Sequence, residues 1–259
     1  MRKIISVFPF QTTTVSLTGE RCSLRCKHCN GHYLSGMRTL DRLKGSEKSV
    51  LISGGCNANG EVPLLEFASK IMEIKRKSKI ILHPGLFPPD KAKMLRKLAD
   101  RIAFDFVGSS ETIREVYGLN KKVNDYLSSF CTLSSQTPTI PHITIGLHGG
   151  KIKGEWNALE LLRSTNTKII VFNVFIPTPG TVYECFSPPP VDDVLRLLGA
   201  AREQFSKVFL GCMRPGGAYR SKLDSQIVDQ HVVDRIVMPA PNTFKKVKAS
   251  SIFTECCIL

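Results

Sequence analysis

Short runs of β-branched and aromatic residues alternate along the chain with longer segments whose apolar residues recur about every 3.6 positions, the spacing of an amphipathic helix. Eight alternations of strand and helix are typical of an α/β fold built as a single parallel βα barrel, and an open doubly wound sheet is the alternative. The eight predicted strands occupy residues 12–19, 49–55, 79–85, 101–110, 141–150, 168–180, 207–217 and 235–241.

The ends of the predicted strands mark one face of the barrel as chemically active. Nearly every run ends in Gly, Ser, Pro or Cys, and in parallel barrels the loops after the strands form the active face. With 259 residues and 42% hydrophobic content, the chain has enough apolar residues for one large core. We therefore predict a single barrel domain over residues 1–259, with residues 242–259 forming a tail that folds over the mouth.

Composition narrows the class of protein. The chain has no run of about 18 apolar residues, and its nine cysteines come without a secretory signal, which predicts a cytoplasmic protein with reduced thiols and no membrane association. Lys and Arg outnumber Asp and Glu by 36 to 22, a net charge of +14. This excess favours an acidic partner, and its even spread makes a protein or small anion a better candidate than nucleic acid.

The segment RCSLRCKHCN carries the sharpest motif. It places Cys22, Cys26 and Cys29 at the spacing C-x3-C-x2-C directly after the first predicted strand. Three thiolates on one loop suit either an iron–sulfur cluster or zinc. A structural zinc ion needs a fourth ligand, for which His28 and His32 are candidates, whereas a cubane cluster can use three cysteines and leave one iron open.

This motif, in this position, resembles that of the radical SAM superfamily. The resemblance implies a [4Fe-4S] cluster held by the three cysteines, with S-adenosylmethionine bound at the open iron. The position before the last cysteine, often aromatic in that family, is His28 here. Ser53, Gly54 and Gly55 are similar to the family's glycine-rich turn, which receives the methionine amino group.

Two later segments are similar to cofactor-binding motifs of the same family. Gly150-x-Ile152-x-Gly154 resembles the motif beside the adenine, and residues 173–181 resemble the segment that cradles adenine and ribose in the biotin synthase branch. The resemblance thus implies cofactor contacts for Ile152, Asn173 and Pro177. Asp105, near the end of the fourth predicted strand, is either a ribose ligand or a solvated loop charge.

A narrower resemblance concerns SGGCNANGEVPL, LGCMRPGGAYR and the terminal Cys pair. These segments are similar to archaeal-type relatives of biotin synthase, some of which form a two-subunit lipoyl synthase. That implies insertion of two sulfur atoms into a protein-bound octanoyl chain. The implied partners are an octanoylated acidic carrier protein, a second radical SAM subunit and an electron donor such as ferredoxin.

Sulfur insertion needs a sacrificial sulfur source, usually an auxiliary iron–sulfur cluster. Cys56, Cys212 and Cys256 are the predicted ligands of such a second cluster, with Cys212, Cys256 and Cys257 as candidate catalytic residues. Arg214 is a predicted ligand of the cluster or of a substrate carboxyl group. The C-x4-C-x5-C motif of single-chain lipoyl synthases is absent. Histidines 83, 142 and 148 lie at or near strand ends, where they either face the mouth or, as is more common for a lone histidine, have a structural role.

Two other functions remain alternatives. One is a different biotin synthase-like radical SAM reaction on a small molecule. The other is a zinc-bound, basic nucleic-acid-binding protein, which predicts aromatic residues interleaved with clustered basic ones. The sequence lacks that interleaving.

Overall fold

The computed structural model describes residues 3–247 and 252–259, and ten parallel strands in this part of the chain form one sheet. The strands are β1 (Ile5–Val7), β2 (Thr12–Ser16), β3 (Ser49–Ser53), β4 (Lys79–Leu82), β5 (Arg101–Asp105), β6 (Thr139–Ile145), β7 (Ile169–Val174), β8 (Lys207–Leu210), β9 (Arg235–Val237) and β10 (Ile252–Phe253). Their order is β10-β1-β9-β8-β7-β6-β5-β4-β3-β2.

The sheet curls so that its two edges meet. The amide of Gln11 donates to the carbonyl of Thr254 at 2.9 Å, and the amide of Cys256 donates to Thr12 Oγ1 at 2.8 Å. These bonds join the segment after β10 to the start of β2. The result is a barrel-type α/β fold, as the sequence predicted.

All eight predicted strands are confirmed as β2 to β9, whereas β1 and β10 were not predicted. Only residues 8–11 separate β1 from β2, so the two behave as one interrupted strand. Its first part pairs with β9 and β10, and its second part pairs with β3. Runs of three and two residues are too short to give a period-two signal in the sequence.

Helices follow the strands on the outside of the barrel. They are α1 (Ala68–Lys75), α2 (Ala92–Leu95), α3 (Ser110–Tyr117), α4 (Val123–Gln136), α5 (Glu155–Arg163), α6 (Val191–Gln204), α7 (Gly217–Gln230) and α8 (Pro241–Lys246), with 3-10 turns at His32–Leu34, Leu40–Arg42, Leu64–Phe67 and Pro89–Lys91. Two of them, α3 and α8, were not predicted. The hydroxyl of Ser109 caps α3 by accepting from the Thr112 amide, and Gly118 ends the helix at φ 70°.

Apolar side chains form two layers, one on each side of the sheet. The larger packs the helices against the outer face of the strands. The smaller fills the barrel and takes one side chain from most strands, namely Val7, Ile81, Ala103, Ile140, Val171, Phe209 and Val237. Cys257 and Ile258 from the end of the chain complete this inner layer.

The predicted placement of the tail over the mouth is corrected by these contacts. The side chain of Glu255 pairs at 2.9 Å with Lys79, the first residue of β4, and Arg235, the first residue of β9, donates to the carbonyls of Cys257 and Leu259. Residues 252–259 therefore enter the barrel at the end where the strands begin, which we call the closed end. The opposite end, where the strands finish, is the mouth.

Burial of apolar side chains explains why the tail enters at the closed end. A barrel interior must be filled, and Ile258 is only 3% exposed among the inner-layer side chains.

No helix within residues 3–247 and 252–259 is long and apolar enough to cross a membrane.

We expect Ile258→Ala to lower the free energy of unfolding by about 2–4 kcal/mol, because it leaves a cavity in the inner layer. Ile252→Ala is the matched control in the same segment. Ile252 is 47% exposed, and its loss is expected to change stability by less than about 0.5 kcal/mol. Urea unfolding of both variants measures the difference, and equal losses would contradict the plugging role of the tail.

Candidate active site

The three-cysteine motif lies on a tightly turned loop at the mouth, residues 20–34, which we call the cluster loop. The amides of Cys29 and Asn30 both donate to the carbonyl of Cys26, at 3.1 and 2.9 Å. Arg25 and Asn30 adopt left-handed backbone conformations at φ 46° and 43°. These turns bring the Cys26 and Cys29 sulfur atoms and a His28 ring nitrogen to within 4.8 Å of one another.

Electrostatics make this loop a ligand set for a cation. The hydrogen bond that the Cys26 thiol donates to Cys29 raises the pKa of Cys26, which burial and the neighbouring thiolates raise further. The same bond, helped by His28 against the effect of burial, lowers the pKa of Cys29 to about 4. Crowded thiolates repel one another, so several can ionise together only around a positive centre. The donor set therefore fits a soft metal ion or an iron–sulfur cluster.

Cys22 and Cys56 belong to the same neighbourhood. The negative charge of Cys22 raises the pKa of both Cys26 and Cys56, although burial is the largest cause at Cys56, whose pKa rises to about 12. The amide of Ser23 donates to the carbonyl of Cys56 at 2.9 Å, which fixes this contact. Cys56 thus lies beside the cluster loop and not beside Cys212.

The Ser53-Gly54-Gly55 turn follows β3 and packs directly against the cluster loop. A Cβ atom on Gly55 would lie 1.9 Å from the carbonyl oxygen of Arg21 and 2.7 Å from Cys22 Cα. The Gly55 amide donates to Thr18 Oγ1 at 2.7 Å. The glycine is therefore required by the fold of the loop itself.

The barrel interior changes from apolar to polar at one level. Two residues beyond the inner-layer side chain of each strand lies a polar or small residue on the same face, because side chains alternate along a strand. These second-level residues are Ser53, His83, Asp105, His142, Asn173 and Gly211. Their side chains face the barrel interior at the mouth, and the space beside the partly exposed His83 and Asp105 is what we call the cavity.

His83 and Asp105 form an ion pair in this cavity, with Nε2 and Oδ2 3.2 Å apart. Their side chains are 30% and 45% exposed although they lie inside the barrel, so they line open space. Burial opposes both charges, but the charge and hydrogen bond of Asp105 raise the pKa of His83, and those of His83 lower the pKa of Asp105 to about 2. The Asp105 carboxylate is thus kept ionised and in place by its ion pair with the His83 ring.

His142 is the neutral member of the group. Its Nδ1 lies 3.1 Å from the carbonyl of Ile140, so Nδ1 carries the proton and Nε2 is left as an acceptor. Burial is the main cause that lowers the pKa of His142 to about 4. In the strand register it lies opposite Asp105. One wall of the cavity therefore offers a charged pair and a neutral acceptor.

The other residues predicted to bind the cofactor lie on neighbouring loops. Ile152 is half-buried between β6 and α5 and packs on the outer core, and Pro177 follows β7. Asn173 faces β8, where a Cβ on Gly211 would lie 2.2 Å from Asn173 Oδ1. Asn173 therefore lies next to the loop that carries Cys212.

Cys212 follows β8 at the mouth, whereas Cys256 and Cys257 lie in the tail that enters from the closed end. Burial and the charge of Cys256 raise the pKa of Cys212, although its residue keeps exposed surface, a combination typical of a cavity wall. A hydrogen bond from the Cys257 thiol lowers the pKa of Cys256 and raises that of Cys257. The three sulfur atoms are not among the described groups whose ligand atoms all lie within 4.8 Å.

Arg214 has a structural role, which corrects its prediction as a cluster or substrate ligand. It is 1% exposed, and its Nε and one terminal nitrogen donate to the two carboxylate oxygens of Asp224 at 2.8 and 2.9 Å. The remaining N–H groups donate to the carbonyls of Gly211, Val237 and Met238. With every donor used, the guanidinium ties the ends of β8 and β9 to α7.

The structure thus brings some predicted residues together and separates others. The predicted auxiliary set of Cys56, Cys212 and Cys256 is not assembled, because Cys56 lies with the cluster loop, Cys212 follows β8 at the mouth, and Cys256 lies in the tail beside the start of β2.

His83 and His142, which were not among the predicted site residues, face the cavity. The sequence signal for them is the two-residue spacing from Ile81 to His83 and from Ile140 to His142, which places both histidines on the inner face of their strands.

Glu155 was also missed. Its carboxylate accepts from the amides of Gly146 and Lys153 at 2.7 and 2.6 Å and holds the loop that contains Ile152. An acidic residue in the first turn of a helix is the sequence signal for it.

We predict that Gly55→Ala prevents metal loading at the cluster loop, because the added methyl group collides with the Arg21 carbonyl. Gly54→Ala is the milder control, since its Cβ would meet neighbours at 3.3 Å. Iron or zinc bound per chain after anaerobic reconstitution measures the effect. Equal metal content in both variants would contradict the tight loop packing.

We also predict a pH dependence of stability from His142. Its folded-state pKa lies below its usual value, so its contribution is present above about pH 6.5 and is lost as the pH falls toward 4. His142→Gln is expected to remove about 2 to 3 kcal/mol of the acid-induced loss in this window. Urea unfolding at pH 7.5 and 5 measures it, and exposed His32→Gln should leave the profile unchanged.

Comparison with known proteins identifies this architecture. The sequence matches no protein-family model and no curated protein. The structure is similar to methylornithine synthase (PylB), with a TM-score of 0.64, 14% identity, and coverage of 92% of this chain and 73% of that one. It is also similar to Streptococcus suis SuiB, with a TM-score of 0.53, 12% identity, and coverage of 93% and 52%. This chain shares the fold of both proteins.

Proposed function

We propose that the protein is a radical SAM enzyme that inserts sulfur into a protein-bound octanoyl chain, as a lipoyl synthase does, together with a second subunit. One observation carries the proposal. The cluster loop and Cys212 both follow strand ends and so lie at the mouth, and Cys212 interacts electrostatically with Cys256 and Cys257 of the tail. A radical source and a sulfur-handling group would then face the same substrate.

Cys22, Cys26 and Cys29 would hold a [4Fe-4S] cluster. When bound, that cluster would supply the electron that cleaves S-adenosylmethionine to methionine and a deoxyadenosyl radical. The backbone of the Ser53–Gly55 turn lies against the loop and would receive the methionine part. Ile152, Asn173 and Pro177, on loops at the mouth, would contact the nucleoside part. The barrel walls would exclude water from the radical.

A second iron–sulfur cluster is part of this proposal, with a ligand set revised by the geometry. Cys212 would combine with Cys256 or Cys257, because those three thiols influence one another's pKa. Cys56 is left out because it lies at the cluster loop. Closer approach of the three sulfur atoms would accompany binding of the metal, since they are not within 4.8 Å of one another.

A second candidate is a radical SAM reaction on a polar small molecule. The ion pair of His83 and Asp105, with the acceptor nitrogen of His142, favours it, because these groups suit a substrate that carries hydrogen-bonding groups better than an alkyl chain. The two candidates differ in substrate and share the radical step.

Anaerobic incubation with S-adenosylmethionine, dithionite and an octanoyl-lysyl carrier domain separates the candidates. We expect deoxyadenosine and, by mass spectrometry of the carrier, added sulfur once the second subunit is present. Deoxyadenosine without sulfur on the carrier would reject the lipoyl reaction and favour the small-molecule candidate. Colourless protein that contains zinc and makes no deoxyadenosine would reject both in favour of a zinc protein.

We predict that Cys212→Ala keeps the iron of the cluster loop and the production of deoxyadenosine but abolishes sulfur insertion. Total iron per chain should fall, because one auxiliary ligand is lost. Cys131→Ala, at an exposed thiol on α4, is the matched control and should behave as the unchanged protein. Unchanged iron and unchanged sulfur insertion in Cys212→Ala would contradict the auxiliary site.

A further inference from the structure

The imidazole of His28 lies inside the cluster loop, beside two of its cysteines. A ring nitrogen of His28 and the sulfur atoms of Cys26 and Cys29 all lie within 4.8 Å of one another. Its Nδ1 atom is buried and has no hydrogen-bond partner within residues 3–247 and 252–259. A buried polar nitrogen without a partner costs free energy, so the ring favours any acceptor that its surroundings offer. The acceptors that the loop offers are the two sulfur atoms.

Contacts on both sides fix the position of this ring. The amide of Lys27 donates to the carbonyl of Val116 at 2.9 Å, and the carbonyl of Lys27 accepts from the Tyr183 amide at 3.2 Å. The rings of His28 and Tyr117 meet edge to face, with centroids 5.5 Å apart and an interplanar angle of 73°. The backbone before His28 and the ring itself are therefore held by α3 and by the loop after β7.

The imidazole favours negative charge on Cys29. The hydrogen bond from the Cys26 thiol is the largest cause that lowers the pKa of Cys29, and His28 lowers it further through a hydrogen bond and its charge, against the effect of burial. A thiol must lose its proton to ligate iron, so Cys26 can no longer donate once a cluster is bound. The N–H group of His28 is not consumed in this way and can still donate to Cys29.

A hydrogen bond to a ligand sulfur changes the redox chemistry of an iron–sulfur cluster. Reduction adds one electron, and part of the added negative charge falls on the ligand sulfur atoms. A donor aimed at one of these sulfur atoms stabilises the more negative state and so raises the reduction potential. A phenyl ring in the same position would fill the same space without this effect.

We propose that the His28 ring donates a hydrogen bond to the Cys29 sulfur and thereby raises the reduction potential of a cluster held by the loop. In this role His28 is a positioning residue for the Cys29 thiolate and not a metal ligand. The inference rests on the proposed function in one respect, because it requires the loop to hold an iron–sulfur cluster. It adds that His28 sets how strong a reductant the protein needs.

The test compares the anaerobically reconstituted protein with three variants at one position. His28→Phe keeps a ring against Tyr117 but has no N–H group, and His28→Leu removes the donor with a smaller side chain. His28→Gln keeps a donor. A redox titration with dithionite, followed by the electron paramagnetic resonance of the reduced cluster, measures the midpoint potential of each.

We expect one-electron reduction to be about tenfold less favourable in His28→Phe and His28→Leu, which is a midpoint potential about 59 mV lower. His28→Gln should recover at least half of this shift, because its amide can donate to the same sulfur. His32→Phe, at the exposed histidine of the same loop, is the matched control and should leave the potential unchanged. An unchanged potential in His28→Phe and His28→Leu, or an equal shift in His32→Phe, would overturn the inference.

Iron content separates a hydrogen-bond donor from a ligand. Every variant should hold the same iron per chain, because the three cysteines remain. Loss of iron in folded His28→Leu and His28→Gln would overturn the inference in favour of ligation by the imidazole. Zinc in place of iron in the unchanged protein would overturn it together with the radical step of the proposed function. The expected shifts without sulfur insertion on the carrier would count against the proposed function alone, since the potential is measured without substrate.

Discussion

Side-chain alternation along the curled strands of the barrel is the constraint on which the rest of the structure depends. Residues two positions apart in a strand face the same side of the sheet. The sequence therefore determines which side chains lie at each level of the barrel interior. At the first level the side chains are apolar, from Ile81 and Ala103 to Phe209. At the second level they are polar, from His83 and Asp105 to Asn173. The cavity exists because this second level cannot close by hydrophobic packing.

The tail follows from the same constraint. The apolar level leaves a hole at the axis of the barrel, and Cys257 with Ile258 fills it from the closed end. Filling from this side keeps the mouth free for a substrate. It also fixes Cys256 and Cys257 inside the barrel, held by the bonds from Arg235 to the tail carbonyls. A packing requirement thus decides where two of the candidate sulfur-handling groups lie.

The sequence was sufficient for the architecture and for the cluster loop, because both are local patterns. Eight strands of regular period gave the barrel, and the spacing of Cys22, Cys26 and Cys29 gave the ligand loop. Interactions between distant parts of the chain were not predictable in this way. Arg214 is separated by ten residues from Asp224, and the burial that turns the pair into a structural lock has no local signature. The direction from which the tail enters depends on which end of the barrel lacks filling, and this too appears only when all strands are assembled.

The two ends of the barrel differ for a physical reason. Strand starts lie at the closed end, where the chain arrives from helix C-termini, so lysines and arginines there also interact favourably with the helix dipoles. Strand ends lie at the mouth, where the polar level and the cluster loop are exposed. Helix dipoles account for bases near helix ends, but Lys168, directly before β7, and Lys207, the first residue of β8, have no ion-pair partner within residues 3–247 and 252–259. An excess of like charge opposes folding through repulsion, so the positive charge at the closed end lowers the stability of the barrel and does not add to it.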